Sequence, residues 1–332
     1  MNRRHAISSL LTLGIAMAPF RVTAQATKRD KPFRIATLPD FGPVTLRVFP
    51  GAMRELGWTE GQDFIIVQSG FYYGAPELNE AANRVVADNP DLILTITTAY
   101  ALALHRATTS IPIVMVSCGY PVESGLAHSL GRPGKNVTGN ALYAGVEVWG
   151  KLLQLLTEAK PGVNRISVLW TYVPPAFPQE EIEPCYAELR SAERLLGLKL
   201  RIVEIAKADQ VPAALAEIDA ERPEALLLTG GLSFKANSTI MQFAVSKRLP
   251  TITDLSWPNV EPSPLLSYGP VYAELLRSAL ASVQKILKGA RPGDLPIQQP
   301  ARFEMVVNLK TAKAIGLTIP QELVSRADTV IE

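Results

Sequence analysis

Two neighbouring threonines, Thr97 and Thr98, stand where a short apolar segment gives way to a helical pattern. Residues 92–97 (LILTIT) are predicted to form a strand, and the residues from Ala99 onward (AYALAL) a helix. A hydroxyl at a helix start can accept from a free backbone N–H group, and the helix dipole favours negative charge there. Thr97, Thr98 and Ala99 are therefore candidates for binding a ligand carboxylate, with an ordinary helix cap as the alternative.

Two carboxyl groups occupy the same kind of position, just after a predicted strand. Asp40 follows the strand predicted at residues 33–38 (FRIATL), and Asp254 follows the one predicted at 250–253 (PTIT). Because ligands of open α/β sheets bind outside the carboxyl ends of strands, either group could accept a hydrogen bond from a ligand ammonium. Each could equally cap the helix that follows it, and the sequence leaves both interpretations open.

Aromatic side chains are frequent at the predicted strand ends, where they could form the walls of a binding cleft. Packing at the rim of the fold is the alternative. The aromatic candidates for ligand contact are Phe41, Phe71, Tyr73, Tyr120, Tyr172 and Trp257, with Tyr72 and Trp170 close by. The other candidates at strand ends are Ser117, Cys118, Gly119, Thr171, Gly230 and Gly231.

The residues that common enzyme classes require are missing or unsuitably placed. The sequence contains no zinc-protease, serine-hydrolase, P-loop or dinucleotide-binding motif. His105 and His128 fall in a helix and a loop, away from the strand ends. Cys118 lies at a strand end, but its nearest titratable neighbour in sequence, Glu123, is acidic and would not activate a thiol. We therefore expect no catalytic residue, no metal site and no cofactor.

The elements that must position these residues alternate regularly in the first half of the chain. Strands are predicted at residues 33–38, 64–68, 92–97 and 113–117, and helices at 44–56, 76–89 and 99–108. Strands that are apolar throughout are typical of the centre of a parallel sheet covered on both faces. The alternation predicts a doubly wound α/β lobe.

A second series of alternating strands and helices follows. The C-terminal tail then adds further elements to both lobes. Helices are predicted at 146–159, 180–196, 211–221 and 239–247, and strands at 165–170, 199–205, 225–229 and 250–253. The tail holds a long amphipathic helix at 273–287, a proline-rich connector at 292–300, a strand at 303–308 and a helix at 309–315. It is too short for a third lobe, so the chain must cross between the two lobes more than once.

The composition excludes several classes of protein. The 332 residues are 47% apolar and 19% charged, which is typical of a folded chain with a sizeable core. A formal net charge of +2 provides no electrostatic footprint for nucleic acid. Two cysteines cannot build a disulfide framework, and we expect both to be free thiols.

The N-terminal segment has the pattern of a secretory signal peptide. Arg3 and Arg4 precede an apolar run over residues 6–20, and small residues follow at Ala24 and Ala26. We expect cleavage after Ala26 and export to the periplasm. An uncleaved anchor helix is the alternative, and the paired arginines leave open whether export is general or twin-arginine.

Three phrases stand out: RELGWTEGQDFII at residues 54–66, the segment at residues 109–139 that contains SCGYPV, and the segment at residues 266–323 that contains NLKTAKAIGLTIP. They resemble the ABC transporter substrate-binding protein family that includes the tryptophan- and tyrosine-binding group. The resemblance implies a type I periplasmic-binding-protein fold, with two Rossmann-like doubly wound parallel-sheet lobes joined by a three-strand hinge. It assigns residues 33–142 and 268–295 to lobe one, and residues 143–267 and 296–332 to lobe two.

The chain departs from the family pattern at three strand ends. Family members often carry Asp where Tyr120 stands, Asp-Pro where Gly230 and Gly231 stand, and Asn-Pro where Thr171 and Tyr172 stand. These replacements remove acidic side chains that would pair with a ligand ammonium group. Tyr120 and Tyr172, which stand at two of the positions, suggest a flat, aromatic ligand. An amino acid and an aromatic or branched organic acid therefore both remain as expected ligands.

The function that these expectations imply is solute binding for an ABC importer. The lobes would close on the ligand, and a membrane permease would recognise the closed form. We expect a monomer. An exported sensor that presents its ligand to a receptor is the alternative, and a ligand-responsive repressor would need an N-terminal DNA-binding segment that the signal peptide replaces.

Overall fold

Two β-sheets covered by helices make up the protein in a computed structural model, which describes residues 31–40, 43–70, 75–172, 177–230, 234–255 and 261–332. The α/β class and the two lobes predicted from the strand–helix alternation are confirmed. The predicted signal peptide lies outside the described residues.

The first sheet holds parallel strands that are apolar because helices cover both of its faces. The strands of this sheet are β1 (Phe33–Leu38), β2 (Phe64–Gln68), β3 (Leu92–Thr95), β4 (Ile113–Cys118) and β5 (Val137–Ala141). Their order across the sheet is β2-β1-β3-β4-β5, and neighbouring strands run parallel. Every residue of β3, β4 and β5 is buried, which accounts for the unbroken apolar segments LILT and IVMVSC.

The helices of the first lobe pack in two pairs on opposite faces of the sheet. They are α1 (Pro43–Glu55), α2 (Ala75–Ala87), α3 (Thr98–Ala107) and α8 (Tyr272–Leu287). Helix α2 packs against α3, and α1 packs against α8. Asn140 of β5 holds α8 in place, because its side-chain amide donates to the carbonyls of Val116 at 3.0 Å and Leu275 at 2.7 Å.

The second sheet is larger and contains one antiparallel pair. Its strands are β6 (Arg165–Trp170), β7 (Lys199–Glu204), β8 (Ala225–Leu228), β9 (Thr251–Thr253), β10 (Leu266–Pro270), β11 (Phe303–Asn308) and β12 (Thr329–Ile331). Their order is β12-β11-β10-β9-β8-β6-β7. All pairings are parallel except that between β10 and β11.

Helices also cover the second sheet on both faces. They are α4 (Glu147–Ala159), α5 (Gln179–Leu196), α6 (Val211–Ala220), α7 (Phe234–Ser246), α9 (Leu309–Ile315) and α10 (Gln321–Ser325). Helices α4 and α5 pack together, and their buried residues join one hydrophobic cluster with α1, α8 and the facing side of the first sheet. Helices α6 and α7 enclose a separate cluster on the opposite face.

The chain passes between the two sheets three times. It leaves the first sheet after β5, returns after β10 to form α8, and leaves again before β11. Before the last passage Gln298 pairs along β5, where its N–H donates to the carbonyl of Gly139 at 2.9 Å. The residue boundaries assigned to the two lobes from the resemblance stay a prediction.

Three strands of the structure were not predicted, and each lacks the apolar pattern. Strand β5 (VTGNA) holds glycine and asparagine, β10 (LSYGP) ends in proline, and β12 (TVI) has three residues. The tertiary neighbours of β5 and β10 decide their structure. Strand β10 pairs with β9 and β11, whereas β5 pairs with β4 and forms an isolated bridge with Gln298 on its other side.

Candidate functional site

The two threonines at the start of α3 make different contacts. Thr97 holds the position before the first helical residue, but its side chain makes no capping hydrogen bond. Its backbone has a positive φ of 55°, and its N–H donates to the carbonyl of Ser117 at 2.9 Å. The prediction of a hydroxyl-capped helix is therefore wrong at Thr97, because the backbone turns to join the end of β4 instead.

Thr98 connects the two lobes through its hydroxyl group. The hydroxyl accepts from the N–H of Gly119 at 3.0 Å and donates to Oε1 of Glu181 at 3.1 Å. Thr98 and Gly119 lie at the ends of strands of the first sheet, whereas Glu181 lies in the first turn of α5 beside the second sheet. This hydrogen bond is thus made across the gap between the lobes.

Glu181 is a buried carboxyl group that is only partly hydrogen-bonded. Its side chain is 6% exposed, and Oε2 has no hydrogen-bond partner in the part of the chain that the structure describes. Burial raises the pKa of the Glu181 carboxyl to about 8, although hydrogen bonds from Thr98 and the backbone of Tyr120 act in the opposite direction. A side chain at Gly119 would overlap Oε1 of Glu181, so the carboxyl group would have to move from its present position.

Asp254 is a second buried carboxyl group, and both of its oxygens are hydrogen-bonded. The hydroxyls of Tyr143 and Tyr172 donate to Oδ2, the latter at 2.9 Å, and the N–H of Gly230 donates to Oδ1 at 2.8 Å. Burial raises the pKa of Asp254, and these three hydrogen bonds oppose that rise. Burial, followed by the charge of Asp254, raises the pKa values of Tyr143 and Tyr172.

The turn after β6 and the turn after β8 hold each other in position around Asp254. The hydroxyl of Thr171 donates to the carbonyl of Thr229 at 2.8 Å, and the hydroxyl of Thr229 accepts from the N–H of Thr171 at 2.9 Å. Gly230 has a φ of +56°, and a Cβ there would lie 2.8 Å from Oγ1 of Thr171. Glycine therefore lets the Gly230 N–H point at Asp254.

A continuous cluster of aromatic rings links the surroundings of the two carboxyl groups. Its members are Tyr120, Tyr143, Trp149, Trp170, Tyr172, Phe177 and Tyr186. The closest pair is Trp149 and Trp170, whose centroids lie 4.9 Å apart. The indole N–H of Trp149 donates to the Tyr120 hydroxyl at 3.2 Å, which joins a strand end of the first lobe to α4 of the second.

The remaining predicted residues divide into two groups. Asp40 joins β1 to the end of β2, because its Oδ1 accepts from the N–H of Gly70 at 2.6 Å. Ala99, Ser117 and Cys118 are buried beside Thr98 and Gly119. The residues that lie outside the described part of the chain, and whose ligand contacts stay predictions, are Phe41, Phe71, Tyr72, Tyr73, Gly231 and Trp257.

Three residues of the site were missed because they do not follow a predicted strand directly. Tyr143 lies in the first passage between the sheets, Trp149 lies on the buried face of α4, and Glu181 lies on α5. One sequence signal pointed to Glu181: it shares a helical stripe with Cys185 and Leu189, at intervals of four residues. A carboxyl group on an otherwise buried stripe is a candidate functional group.

The described residues include neither a cluster of metal ligands nor an exposed thiol. Among them, no group of three His, Cys, Asp or Glu side chains could hold a metal ion. Cys118 and Cys185 are free and buried, and burial raises the pKa of each thiol, which disfavours a reactive thiolate. None of the described helices is long and apolar enough to cross a membrane.

Two α/β lobes meet through buried polar and aromatic groups at their strand ends. The sequence model of the ABC transporter substrate binding protein family matches residues 52–331. The chain belongs to this family, whose members are substrate-binding proteins and not enzymes. Its fold is that of the type I periplasmic binding proteins.

Three relatives illustrate the relationship. A tyrosine-binding protein of Clostridioides difficile (strain R20291) is 26% identical over 272 residues, which cover 81% of this chain and 75% of the relative. A conserved domain protein of Vibrio cholerae has a TM-score of 0.78 at 25% identity, covering 90% of this chain and 100% of its own. A Streptococcus pneumonia protein in complex with L-Trp has a TM-score of 0.76 at 21% identity, covering 91% of this chain and 100% of its own.

Proposed function

We propose that the protein is the extracytoplasmic solute-binding component of an ABC importer and binds an amino acid or small organic acid, of aromatic character, between its lobes. The observation that carries this proposal is the aromatic cluster from Tyr120 to Tyr172, which reaches both buried carboxyl groups. Aromatic rings beside a few fixed polar groups are typical of pockets for small flat ligands.

The relatives support the aromatic character of the ligand. One curated relative is a tyrosine-binding protein, and one structural relative was solved in complex with L-Trp. The acids that the family often places at strand ends are replaced here, so the ligand of this chain need not be identical to those of its relatives.

The family and the N-terminal segment support the proposed location and partner. Proteins of this family typically act outside the cytoplasm, and residues 1–26 have the pattern of a cleavable signal peptide. We infer that the mature chain is a monomer that works in the periplasm and delivers its ligand to a membrane permease.

Native mass spectrometry of protein purified from the periplasm, followed by calorimetry, tests this function. We expect a co-purified small aromatic ligand, and mature protein that begins at residue 27. The variant Thr98→Ala should weaken binding about tenfold, a loss of about 1.4 kcal/mol. Its control is Thr157→Ala, because the Thr157 hydroxyl only donates to the Gln154 carbonyl within α4. Protein that binds no aromatic amino acid or acid at millimolar concentration would contradict the proposal.

A further inference from the structure

The two buried carboxyl groups differ in how their oxygens are satisfied. In the described part of the chain, Glu181 and Asp254 form no ion pair with Lys, Arg or His. The donors to Asp254 are all neutral, and they occupy both of its oxygens. Glu181 uses only Oε1, so Oε2 is a buried acceptor without a donor.

We propose that Glu181 selects a ligand that carries an ammonium group, which binds Oε2 between the closed lobes. This inference rests on the proposed function and narrows it, because it favours amino acids and aromatic amines over organic acids. An unsatisfied buried acceptor costs free energy that a charged donor would recover, and an ammonium group offers three donors.

The groups around Glu181 offer no positive charge to an anion. The titratable groups that act on it or that it acts on are Cys118, Tyr120, Glu123, Tyr172 and Cys185. All of these groups are neutral or negative when they titrate, and none is a cation. A ligand that presented only a carboxylate would therefore find no positive side chain among these groups, and it would offer no donor to Oε2 of Glu181.

The position of Glu181 also links recognition to closure. The carboxyl group belongs to α5 of the second lobe, but the Thr98 hydroxyl and the Tyr120 backbone of the first lobe hold it. These hydrogen bonds cannot form when the lobes separate. The acceptor for the ammonium group is thus assembled only in the closed form, so a ligand that binds it stabilises that form.

Calorimetry with matched probes tests the inference. Tryptamine carries only the ammonium group, tryptophan carries both charges, and indole-3-propionate carries only the carboxylate. We expect wild-type protein to bind tryptamine, tryptophan or both, and to bind indole-3-propionate at least about tenfold more weakly than the better of these. Tyramine, tyrosine and 3-(4-hydroxyphenyl)propionate form a second series with a phenol ring. The ranking of amine against amino acid identifies which ammonium compound is preferred.

Glu181→Gln should weaken binding of the ammonium-bearing probes at least about tenfold and leave the propionates within about threefold of wild type. The matched control is Glu180→Gln, which removes the same charge from an exposed residue one position away. Gly119→Ala offers an independent variant, because its methyl group would displace Oε1 of Glu181 without changing the acid.

The number of protons released on ligand binding distinguishes a direct contact between Glu181 and the ligand from a purely structural role of Glu181. Because burial raises the pKa of Glu181, binding of an ammonium group at neutral pH should release a proton from wild-type protein and none from Glu181→Gln. Calorimetry in buffers of different ionisation enthalpy measures this release. Equal binding of tryptophan and indole-3-propionate, or a Glu181→Gln variant that keeps wild-type affinity, would overturn the inference while leaving the proposed function intact. Failure of every probe to bind would overturn both.

Discussion

Asp254 and Glu181 are both buried carboxyl groups beside the same aromatic cluster, yet their surroundings differ sharply. Asp254 accepts three hydrogen bonds that use both of its oxygens. Glu181 has one oxygen bound by the opposite lobe and the other without a partner in the described residues. A saturated carboxyl group holds the surrounding turns together, whereas a half-saturated one retains the capacity to bind something else.

Removal of the saturated carboxyl group should have the largest effect. Asp254→Ala leaves the hydroxyls of Tyr143 and Tyr172 and the N–H of Gly230 without their acceptor, so we expect a loss of about 3 kcal/mol in the free energy of unfolding. Urea denaturation measures it. Asp88→Ala, at an exposed aspartate, should change the same quantity by less than about 0.5 kcal/mol. A cost for Asp254→Ala as small as that of the control would show that the three hydrogen bonds to Asp254 contribute little to stability.

Removal of the charge from the half-saturated group should do the opposite and stabilise the unliganded protein. The pKa of Glu181 is about 8 in the folded chain, above its ordinary value of 4.5, so its contribution to stability is full below pH 4.5 and is lost as the pH rises through 8. Glu181→Gln avoids this loss. We expect the Glu181→Gln variant to be about 2 kcal/mol more stable than wild type at pH 8.5. This value is smaller than the free energy that corresponds to the full rise in the pKa of Glu181.

Denaturation of both proteins at several pH values between 4.5 and 8.5 measures that difference. It should approach zero at the acidic end and grow steadily toward the alkaline end. A difference that is independent of pH would mean that Glu181 is already ionised and well solvated in the folded state.

The same carboxyl group should make ligand affinity depend on pH. Below its pKa of about 8, Glu181 must lose a proton before it can bind an ammonium group. The affinity for tryptamine should therefore fall by nearly tenfold, about 1.4 kcal/mol, for each unit that the pH is lowered below 8. Calorimetry at pH 6, 7 and 8 measures how the affinity for tryptamine changes with pH. The affinity of the Glu181→Gln variant should not change over this range.

The smallest expected effect is the loss of one donor to Asp254. Tyr172→Phe leaves Tyr143 and Gly230 in place, so we expect a cost of about 1 kcal/mol in unfolding free energy. Tyr186→Phe is the comparison, because its hydroxyl donates to the exposed carboxyl group of Glu204 at 2.6 Å and should cost less. If both variants cost the same, the burial of Asp254 would not strengthen its hydrogen bonds.

The sequence was sufficient to predict the elements whose patterns are local. The apolar strands β1 to β4 and β6 to β9 were located within two residues, because a central strand of a parallel sheet is recognisable from its own side chains. Strands β5 and β10 were not predicted, because neighbours distant in sequence decide their structure.

The site was predictable only in part, for a related reason. The position of Asp254 at a strand end was correct, but its partner Tyr143 lies 111 residues away in sequence. The bond between Thr98 and Glu181 spans 83 residues and joins two lobes. Strand ends identify which residues face the gap, whereas the partners that reach across it depend on how the lobes meet.

The three passages of the chain between the sheets have a consequence for proteolysis. A nick in the first passage would leave α8 on the C-terminal fragment, although it packs against β4 and β5 of the other fragment. A nick in the second or third passage would separate β10 from β11, which pair through their backbones. No single cut therefore frees one lobe from the other, and a clipped molecule should migrate as two pieces in denaturing gels but as one particle in native ones.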